Sequence, residues 1–150
     1  MLKEGIKAPE FSLNADDGKT YRLKDFKGKM VILYFYPKDN TSGCTAEACD
    51  FRDNIKIFTK KNAVILGISK DSIKSHQNFK EKYSLPFTLL SDENVEILEK
   101  YGVWKEKSMY GRKYMGVERS TFVIDENGKI KKIFRNVKVK GHIEELLNSI

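Results

Sequence analysis

Three stretches rich in apolar residues stand out from an otherwise polar chain, and each has the length of a β-strand. The longest, Met30–Tyr36, is typical of a strand that is covered on both faces, and Pro37 ends it. Ala63–Ile68 predicts a second buried strand, and Ser120–Ile124 predicts a third. The centre of the fold is therefore predicted to be a buried sheet.

Turn sequences join shorter strands into hairpins at two places. Phe11–Leu13 and Thr20–Leu23 flank Asp16-Asp17-Gly18, which predicts an N-terminal hairpin. Asn127-Gly128 predicts a second tight turn, which leads into a strand at Ile130–Phe134.

Apolar residues at helical spacing predict four helices. The first is long, near Thr41–Lys61, and the second begins at a cap formed by Ser69 or Asp71. The third is Ser91–Tyr101, closed by Gly102, and the fourth ends the chain. The apolar stripes are Cys44, Ala48, Phe51, Ile55 and Phe58 on the first helix, His76, Phe79 and Tyr83 on the second, and Ile143, Leu146, Leu147 and Ile150 on the last.

The order of these elements is βαβ, then an antiparallel hairpin, then a helix. This order favours an α/β fold of the thioredoxin type, with a central mixed sheet, helices on both faces and an N-terminal hairpin. A chain of 150 residues with 40% apolar residues is long enough to bury a core without disulfides or a structural metal. We therefore expect residues 1–150 to form a single domain.

Composition excludes several classes of protein. The chain carries 28 Lys+Arg against 21 Asp+Glu, a net charge of +7, but the lysines are scattered, so we expect no nucleic-acid partner. Two cysteines cannot frame a disulfide-rich secreted module, and no apolar run approaches the roughly 20 residues of a membrane span. The N-terminus also lacks a continuous apolar signal region. We expect a cytoplasmic protein without membrane association, where a disulfide is more often catalytic than structural.

Cys44 lies where the first buried strand gives way to the first helix. Open α/β sheets bind their ligands at the carboxyl ends of strands. In the first turn of a helix, free backbone N–H groups and the helix dipole favour an anion, so a thiol there has a pKa lowered from about 8.5 and is partly a nucleophilic thiolate. The alternative is that Cys44 is a small apolar residue of the core, because its stripe faces inward.

Cys49 follows Cys44 on the same predicted helix. Five residues of ideal helix put the two Cα atoms roughly 8.6 Å apart. A disulfide needs a separation below about 7 Å, so the bond could form only after the first turns unwind. This arrangement suits a cysteine that is oxidised in the folded helix and then resolved by its neighbour, although an inert Cys49 stays open. No C-x-x-C pair is present and the two histidines lie far along the chain, so we expect neither a metal nor a cofactor.

The electrophile that suits this pair best is a peroxide. A protein-disulfide reductase would be expected to carry C-x-x-C, whereas the spacing here is C-x₄-C. Attack on the O–O bond gives a sulfenic acid that condenses with a nearby thiol. Thr41 can offer a hydroxyl to the peroxide, although it is also a good helix N-cap. An arginine is needed for the developing charge, and Arg119 fits better than Arg52, which lies two helical turns beyond Cys44.

The residues Pro37-x-x-x-Thr41-x-x-Cys44 match the active-site motif of the peroxiredoxins, and longer segments resemble their bacterioferritin comigratory protein (Q-type) branch. The resemblance runs from Gly5 almost to the final helix, and it is carried by GCTAEACDFRD, GISKDSIKSHQNFKEKYSLPFTLLSDE and YGVWKEKSMYGRKYMGVERSTFVIDENG. One departure is Ser42, where many relatives have proline.

This resemblance implies a thiol peroxidase that reduces hydrogen peroxide and organic hydroperoxides and is recycled by thioredoxin. Cys44 would be the peroxidatic cysteine and Cys49 the resolving cysteine. Thr41 and Arg119 would orient and activate the peroxide, and Pro37 would shield the thiolate from water. A monomer is also expected.

Three further residues have alternative interpretations. His76 lies on an apolar helix face and is interpreted as a structural residue rather than a catalytic one. Glu47 either pairs with an arginine of the site or occupies a solvated helix position. Trp104 packs near the mouth of the pocket or belongs to the core or its rim.

Overall fold

The computed structural model describes residues 2–150 and contains nine strands and five α-helices in that range. The strands are β1 (Ser12–Ala15), β2 (Thr20–Arg22), β3 (Met30–Phe35), β4 (Ala63–Ser69), β5 (Thr88–Ser91), β6 (Trp104–Met109), β7 (Arg112–Val117), β8 (Ser120–Ile124) and β9 (Ile130–Phe134). The helices are α1 (Ser42–Asp53), α2 (Ile55–Lys60), α3 (Ile73–Tyr83), α4 (Glu96–Lys100) and α5 (His142–Asn148).

Seven strands form one mixed sheet in the order β2-β1-β5-β4-β3-β8-β9. β3, β4 and β5 run parallel, as βαβ connections require, whereas β8 is antiparallel to β3 and β9 is antiparallel to β8. The N-terminal hairpin β1–β2 joins through β1, which is antiparallel to β5. The predicted α/β architecture with a central mixed sheet and flanking helices is therefore confirmed.

The register of β3 and β8 places the carboxyl end of β3 beside the amino end of β8. Phe35, the last residue of β3, pairs with Ser120, the first residue of β8. The chain leaves β3 through Pro37 toward α1, and Arg119 immediately precedes β8. The carboxyl end of β3 is thus adjacent to Arg119.

The uninterrupted apolar run in β3 is explained by two cores, one on each face of the sheet. Val31, Leu33 and Phe35 belong to the core that also contains the N-terminal hairpin and α4. Ile32 and Tyr34 belong to the opposite core, against α1, α2, α3 and α5. Because successive side chains of a strand point to opposite faces, a strand at this position needs an apolar residue at every step.

The predicted first helix is wrong in its length, because it is interrupted at Asn54. α1 ends there and α2 begins at the next residue. The Asn54 backbone has φ −111° and ψ 10°, and its side-chain amide donates to the Asp50 carbonyl. Short polar side chains compete with the helical hydrogen bonds in this way. The pattern of apolar residues did not indicate this break.

Two other predictions needed correction, and one hairpin was missed. The cap of α3 is Ser72, whose hydroxyl accepts from the Ser75 N–H, rather than Ser69 or Asp71. The predicted helix Ser91–Tyr101 begins too early, because Ser91 closes β5 and α4 covers only Glu96–Lys100. The hairpin β6–β7, which forms a separate two-stranded sheet, was not predicted.

None of the helices described for residues 2–150 is both long enough and apolar enough to cross a bilayer.

Candidate active site

Cys44 lies in the first turn of α1, just after the loop that leaves β3. Thr41 is the N-cap residue, and its carbonyl accepts from the Thr45 N–H at 2.8 Å. Only 2% of Cys44 is exposed. The position therefore combines a helix N-terminus, which favours an anion, with burial, which opposes one.

Arg119 supplies the cation that this sulfur needs. Its Nη2 donates to Cys44 Sγ at 3.4 Å, and its Nη1 donates to Glu47 Oε1 at 2.7 Å. Gly43 makes room for the guanidinium, since a Cβ at that position would lie 3.1 Å from Arg119 Nη2. The guanidinium is therefore placed to stabilise negative charge that develops at or beside the sulfur during a reaction.

Arg52, the alternative cation, makes other contacts. Its Nη1 donates to the Tyr83 carbonyl at 2.8 Å, and its Nε pairs with Asp53 at 2.9 Å. The structure thus brings Arg119 to the sulfur, and Arg52 fixes the end of α1 to the end of α3.

Glu47 is the residue whose position the sequence left undecided, and it pairs with Arg119 inside the protein. Only 1% of its surface is exposed. Burial raises its pKa to about 7, and Arg119 opposes that rise only in part. Its second oxygen, Oε2, has no hydrogen-bond partner among the residues that the structure describes.

Tyr34 carries the other buried side-chain polar atom without a partner in the described part of the chain, its hydroxyl. Burial, together with the nearby charges of Glu47 and Cys44, raises the pKa of this tyrosine well above its ordinary value. Native proteins rarely leave such groups unpaired, so two of them in residues whose charges act on one another, near the Cys44 sulfur, distinguish this part of the core.

Thr41 and Pro37 lie on the loop between β3 and α1. The Thr41 hydroxyl donates to the Lys38 carbonyl at 2.7 Å and makes no capping bond to the helix. Pro37 is half-buried, two residues after the end of β3. Among the hydrogen bonds of residues 2–150, none joins either residue to the Cys44 sulfur.

Cys49 lies farther along α1, half-buried, and both thiols are free. α1 is continuous from Ser42 to Asp53, so the two cysteines are held at helical spacing. In this conformation the roughly 8.6 Å between ideal helical positions forbids a disulfide.

A polar cluster lies at the loop between β3 and α1. The sequence pointed to only one of its residues, His76. The His76 Nε2 contacts the Leu90 carbonyl at 2.9 Å, and Nδ1 contacts Asp39 Oδ2 at 2.7 Å. Burial alone lowers the pKa of His76, but the hydrogen bond and charge of Asp39 outweigh it and leave the pKa above 6.5. The Asp39 N–H in turn donates to Asp71 at 2.9 Å.

Ligand atoms of Asp39, Asp71 and His76 all lie within 4.8 Å of one another, a spacing that could suit a metal. Their hydrogen bonds explain the arrangement without one, since both ring nitrogens of His76 and both oxygens of Asp39 have partners. No sequence motif predicted the cluster, because Asp39 is distant in sequence from Asp71 and His76, and the Leu90 carbonyl adds a third segment.

Trp104 opens β6 and is partly buried against the core that contains Phe35. The Lys70 ammonium lies 5.7 Å from the centre of its ring. This position matches the alternative in which the tryptophan belongs to the core and its rim.

Comparison with known proteins agrees with this geometry. The AhpC/TSA family model matches residues 5–133. Among characterised sequences, "Putative peroxiredoxin bcp" of Coxiella burnetii is 54% identical and covers 99% of both chains, and "Peroxiredoxin Bcp" of Bacillus subtilis is 52% identical over 99% of this chain and 95% of its own.

Solved structures give the same result. The bacterioferritin comigratory protein of Xanthomonas campestris, studied for its alkyl peroxide reduction activity, superposes with a TM-score of 0.91 at 38% identity, over 98% of this chain and 96% of its own. A mutant PrxQ of Xylella fastidiosa superposes with a TM-score of 0.94 at 38% identity, over 99% and 94% of the two chains. The resemblance seen in the sequence is therefore confirmed, and the chain belongs to the AhpC/TSA family, in the bacterioferritin comigratory (Q-type) branch of the peroxiredoxins.

Proposed function

We propose that this protein is a thiol peroxidase that reduces hydrogen peroxide and organic hydroperoxides, with Cys44 as the peroxidatic cysteine. The observation that carries the proposal is the 3.4 Å contact between Arg119 Nη2 and Cys44 Sγ in the first turn of α1. A buried sulfur at a helix N-terminus, in contact with a guanidinium, is the environment that lets a thiolate act as a nucleophile.

The first step oxidises the sulfur and reduces the peroxide. The Cys44 thiolate attacks one oxygen of the O–O bond, an S–O bond forms, and the O–O bond breaks. The leaving alkoxide or hydroxide takes a proton and departs as an alcohol or water, while Cys44 becomes a sulfenic acid. Arg119 acts here by stabilising the charge that develops on the peroxide oxygens. Thr41 orients the peroxide and Pro37 keeps water from the sulfur.

The second step joins the two cysteines. The Cys49 thiol attacks the Cys44 sulfenic acid, an S–S bond forms, and water leaves. Because α1 holds the residues too far apart, the first turns of the helix must open before this step. A dithiol protein, thioredoxin or a similar one, then reduces the disulfide and is itself oxidised.

Peroxiredoxin activity requires a hydroperoxide and a reductant, and both are partners in this proposal. We further propose that the enzyme works as a monomer, as the resemblance implies. We place it in a reducing cytoplasm, because both cysteines must return to free thiols in every cycle.

Stopped-flow mixing of the reduced protein with hydrogen peroxide tests the proposal. The wild type should consume peroxide in one rapid round, and Cys44→Ser should consume none. Cys49→Ser should keep the first round and lose cycling with thioredoxin. Peroxide consumption by Cys44→Ser would refute the role of Cys44, and unchanged cycling by Cys49→Ser would remove Cys49 from the mechanism.

A further inference from the structure

The hairpin β6–β7 concentrates the exposed apolar side chains of the molecule. Five large apolar residues are well exposed among residues 2–150, and four of them belong to this hairpin and its turn: Met109, Tyr110, Tyr114 and Met115. Tyr110, at the turn, is 99% exposed. Met and Tyr are also residues that protein interfaces favour, so this surface is suited to a partner.

The two faces of the hairpin differ in charge. Strand register and alternation place Lys105, Lys107, Met109, Arg112 and Tyr114 on one face, which we call the basic face. It contains three cations, two apolar side chains and no carboxylate.

The opposite face of the hairpin is closer to neutral. It carries Glu106, Lys113 and Met115, and the Lys113 ammonium lies 3.7 Å from the Glu106 carboxylate. At its base, Val117 is buried and Trp104 packs against the core. This face therefore anchors the hairpin, which leaves the basic face available.

Lys107 connects the basic face to the active site. Its register partner is Tyr114, but its Cδ and Cε lie over Gly116, where a Cβ would approach them to 3.3 and 3.5 Å. The side chain thus runs along β7 in the direction of Arg119, which follows two residues after that strand. Partial burial, with Arg119 nearby, lowers the pKa of Lys107, whereas Cys44 acts in the opposite direction.

We propose that the basic face is the docking surface for the dithiol protein that reduces the oxidised enzyme. The partner that fits it presents acidic residues and an apolar centre around its own thiols. A second copy of this chain is disfavoured, because two basic faces with three cations each repel one another. This inference rests on the proposed function, since only a cycling peroxidase needs such a partner.

Docking serves a balanced thiol–disulfide exchange. A thiolate of the partner attacks one sulfur of the Cys44–Cys49 disulfide and displaces the other as a thiol. The partner's second thiol then breaks the mixed disulfide. Two electrons and two protons pass to the enzyme, and the partner leaves as a disulfide. The basic face would hold the partner beside the site during both attacks.

Steady-state turnover with hydrogen peroxide, thioredoxin, thioredoxin reductase and NADPH tests the inference. Met109→Ser combined with Tyr114→Ser should lower kcat/KM for thioredoxin at least fivefold, because exposed apolar anchors carry much of an interface's energy. Met115→Ser, on the opposite face of the same hairpin, is the matched control and should change it less than twofold. Stopped-flow oxidation by peroxide should be the same in all of these variants.

The charges are tested in the same assay. Arg112→Glu should lower kcat/KM for thioredoxin at least tenfold at low salt, and this loss should shrink as salt is added. Lys113→Glu, which makes the same change in charge on the opposite face, should have a much smaller effect. Equal effects of the two variants would overturn the inference.

Two further results would also overturn it. One is binding of the basic face to vesicles containing phosphatidylglycerol, with thioredoxin kinetics unchanged in the variants. The other is self-association of the wild type on gel filtration that the Met109 and Tyr114 changes abolish. If peroxide fails to oxidise Cys44 at all, the proposed function fails first, so the two failures are distinguishable.

Discussion

Two buried ion pairs lie on either side of the loop that leads into α1, and they differ in how completely they are bonded. Arg119 and Glu47 are 2.7 Å apart, and so are His76 and Asp39. Both carboxylates are almost entirely buried. The distance and the burial of the carboxylates therefore do not separate the two pairs, and the difference lies in the remaining bonds.

The Asp39 pair is saturated. Asp39 Oδ1 accepts from the Tyr36 hydroxyl at 2.6 Å, and Oδ2 contacts both His76 and the Ser75 hydroxyl. The Glu47 pair is incomplete, because Oε2 has no partner in the described residues and the guanidinium is shared with a thiol. A pair whose hydrogen bonds are all made holds its backbone segments in place. A pair with an unbonded oxygen can still form a hydrogen bond to a substrate.

The largest expected effect is on the saturated pair. His76→Phe should lower the free energy of unfolding by about 3–5 kcal/mol, because it leaves the Asp39 carboxylate buried without its cation. Urea unfolding measures the loss. Ser75→Ala, which removes one hydrogen bond from an uncharged hydroxyl to the same oxygen, should cost only about 1.5 kcal/mol. Equal losses in the two variants would show that charge pairing is not what this cluster contributes.

The same cluster predicts how the stability of the protein changes with pH. The pKa of His76 is raised in the folded protein, so the stability it contributes is fully present below its ordinary value of 6.5. That contribution is lost as the pH rises through the raised pKa. The stability gap between wild type and His76→Phe should therefore narrow above neutral pH.

The incomplete pair should show its larger effect in the reaction. Arg119→Ala should slow peroxide oxidation of Cys44 by about 10²-fold, roughly 2.7 kcal/mol, the usual loss when one preorganised charge donor is removed. Stopped-flow mixing with hydrogen peroxide gives the rate. Arg52→Ala is the control, and it should leave that rate within about threefold of wild type, because Arg52 contacts Tyr83 and Asp53 instead. A larger loss in Arg52→Ala would reverse the assignment of the cation.

The smallest effect concerns the pH dependence of stability at Glu47. Its pKa rises from 4.5 to about 7 on folding, so the folded state favours the protonated acid, and wild-type stability should fall as the pH rises through that interval. Glu47→Gln should lack this fall and gain about 1–3 kcal/mol on the wild type between pH 5 and pH 8. Urea unfolding at both values measures the gain. The exposed Glu144→Gln should show no such change. If the stability of Glu47→Gln relative to the wild type were also the same at pH 5 and pH 8, Arg119 would fully compensate the burial of Glu47.

The sequence predicted the sheet well because the central strands have a two-sided environment. β3 and β8 were found almost residue for residue, since burial on both faces demands a run of apolar or β-branched residues. The placement of Arg119 near Cys44 followed from the same logic, because a strand next to β3 was the natural source of a cation.

Other features depend on contacts between distant segments, and no local pattern reports them. The cluster around Asp39 joins three separate segments, and Glu47 needed the position of Arg119 before its partner could be known. The β6–β7 hairpin was missed for a different reason. Its strands are mostly exposed on both faces, so the apolar alternation that identifies a strand is weak.

The break at Asn54 sets a boundary on how far unfolding that begins in α1 can spread. α1 has 12 residues, a length at which a helix in water is marginal without neighbours, so its stability depends on the packing of Cys44, Ala48 and Phe51 against the core. Its hydrogen-bond ladder does not run unbroken into α2, and unravelling that starts near Cys44 would therefore stop before α2. The proposed cycle would thus require local unfolding of α1 alone, while α2 and the sheet remain folded.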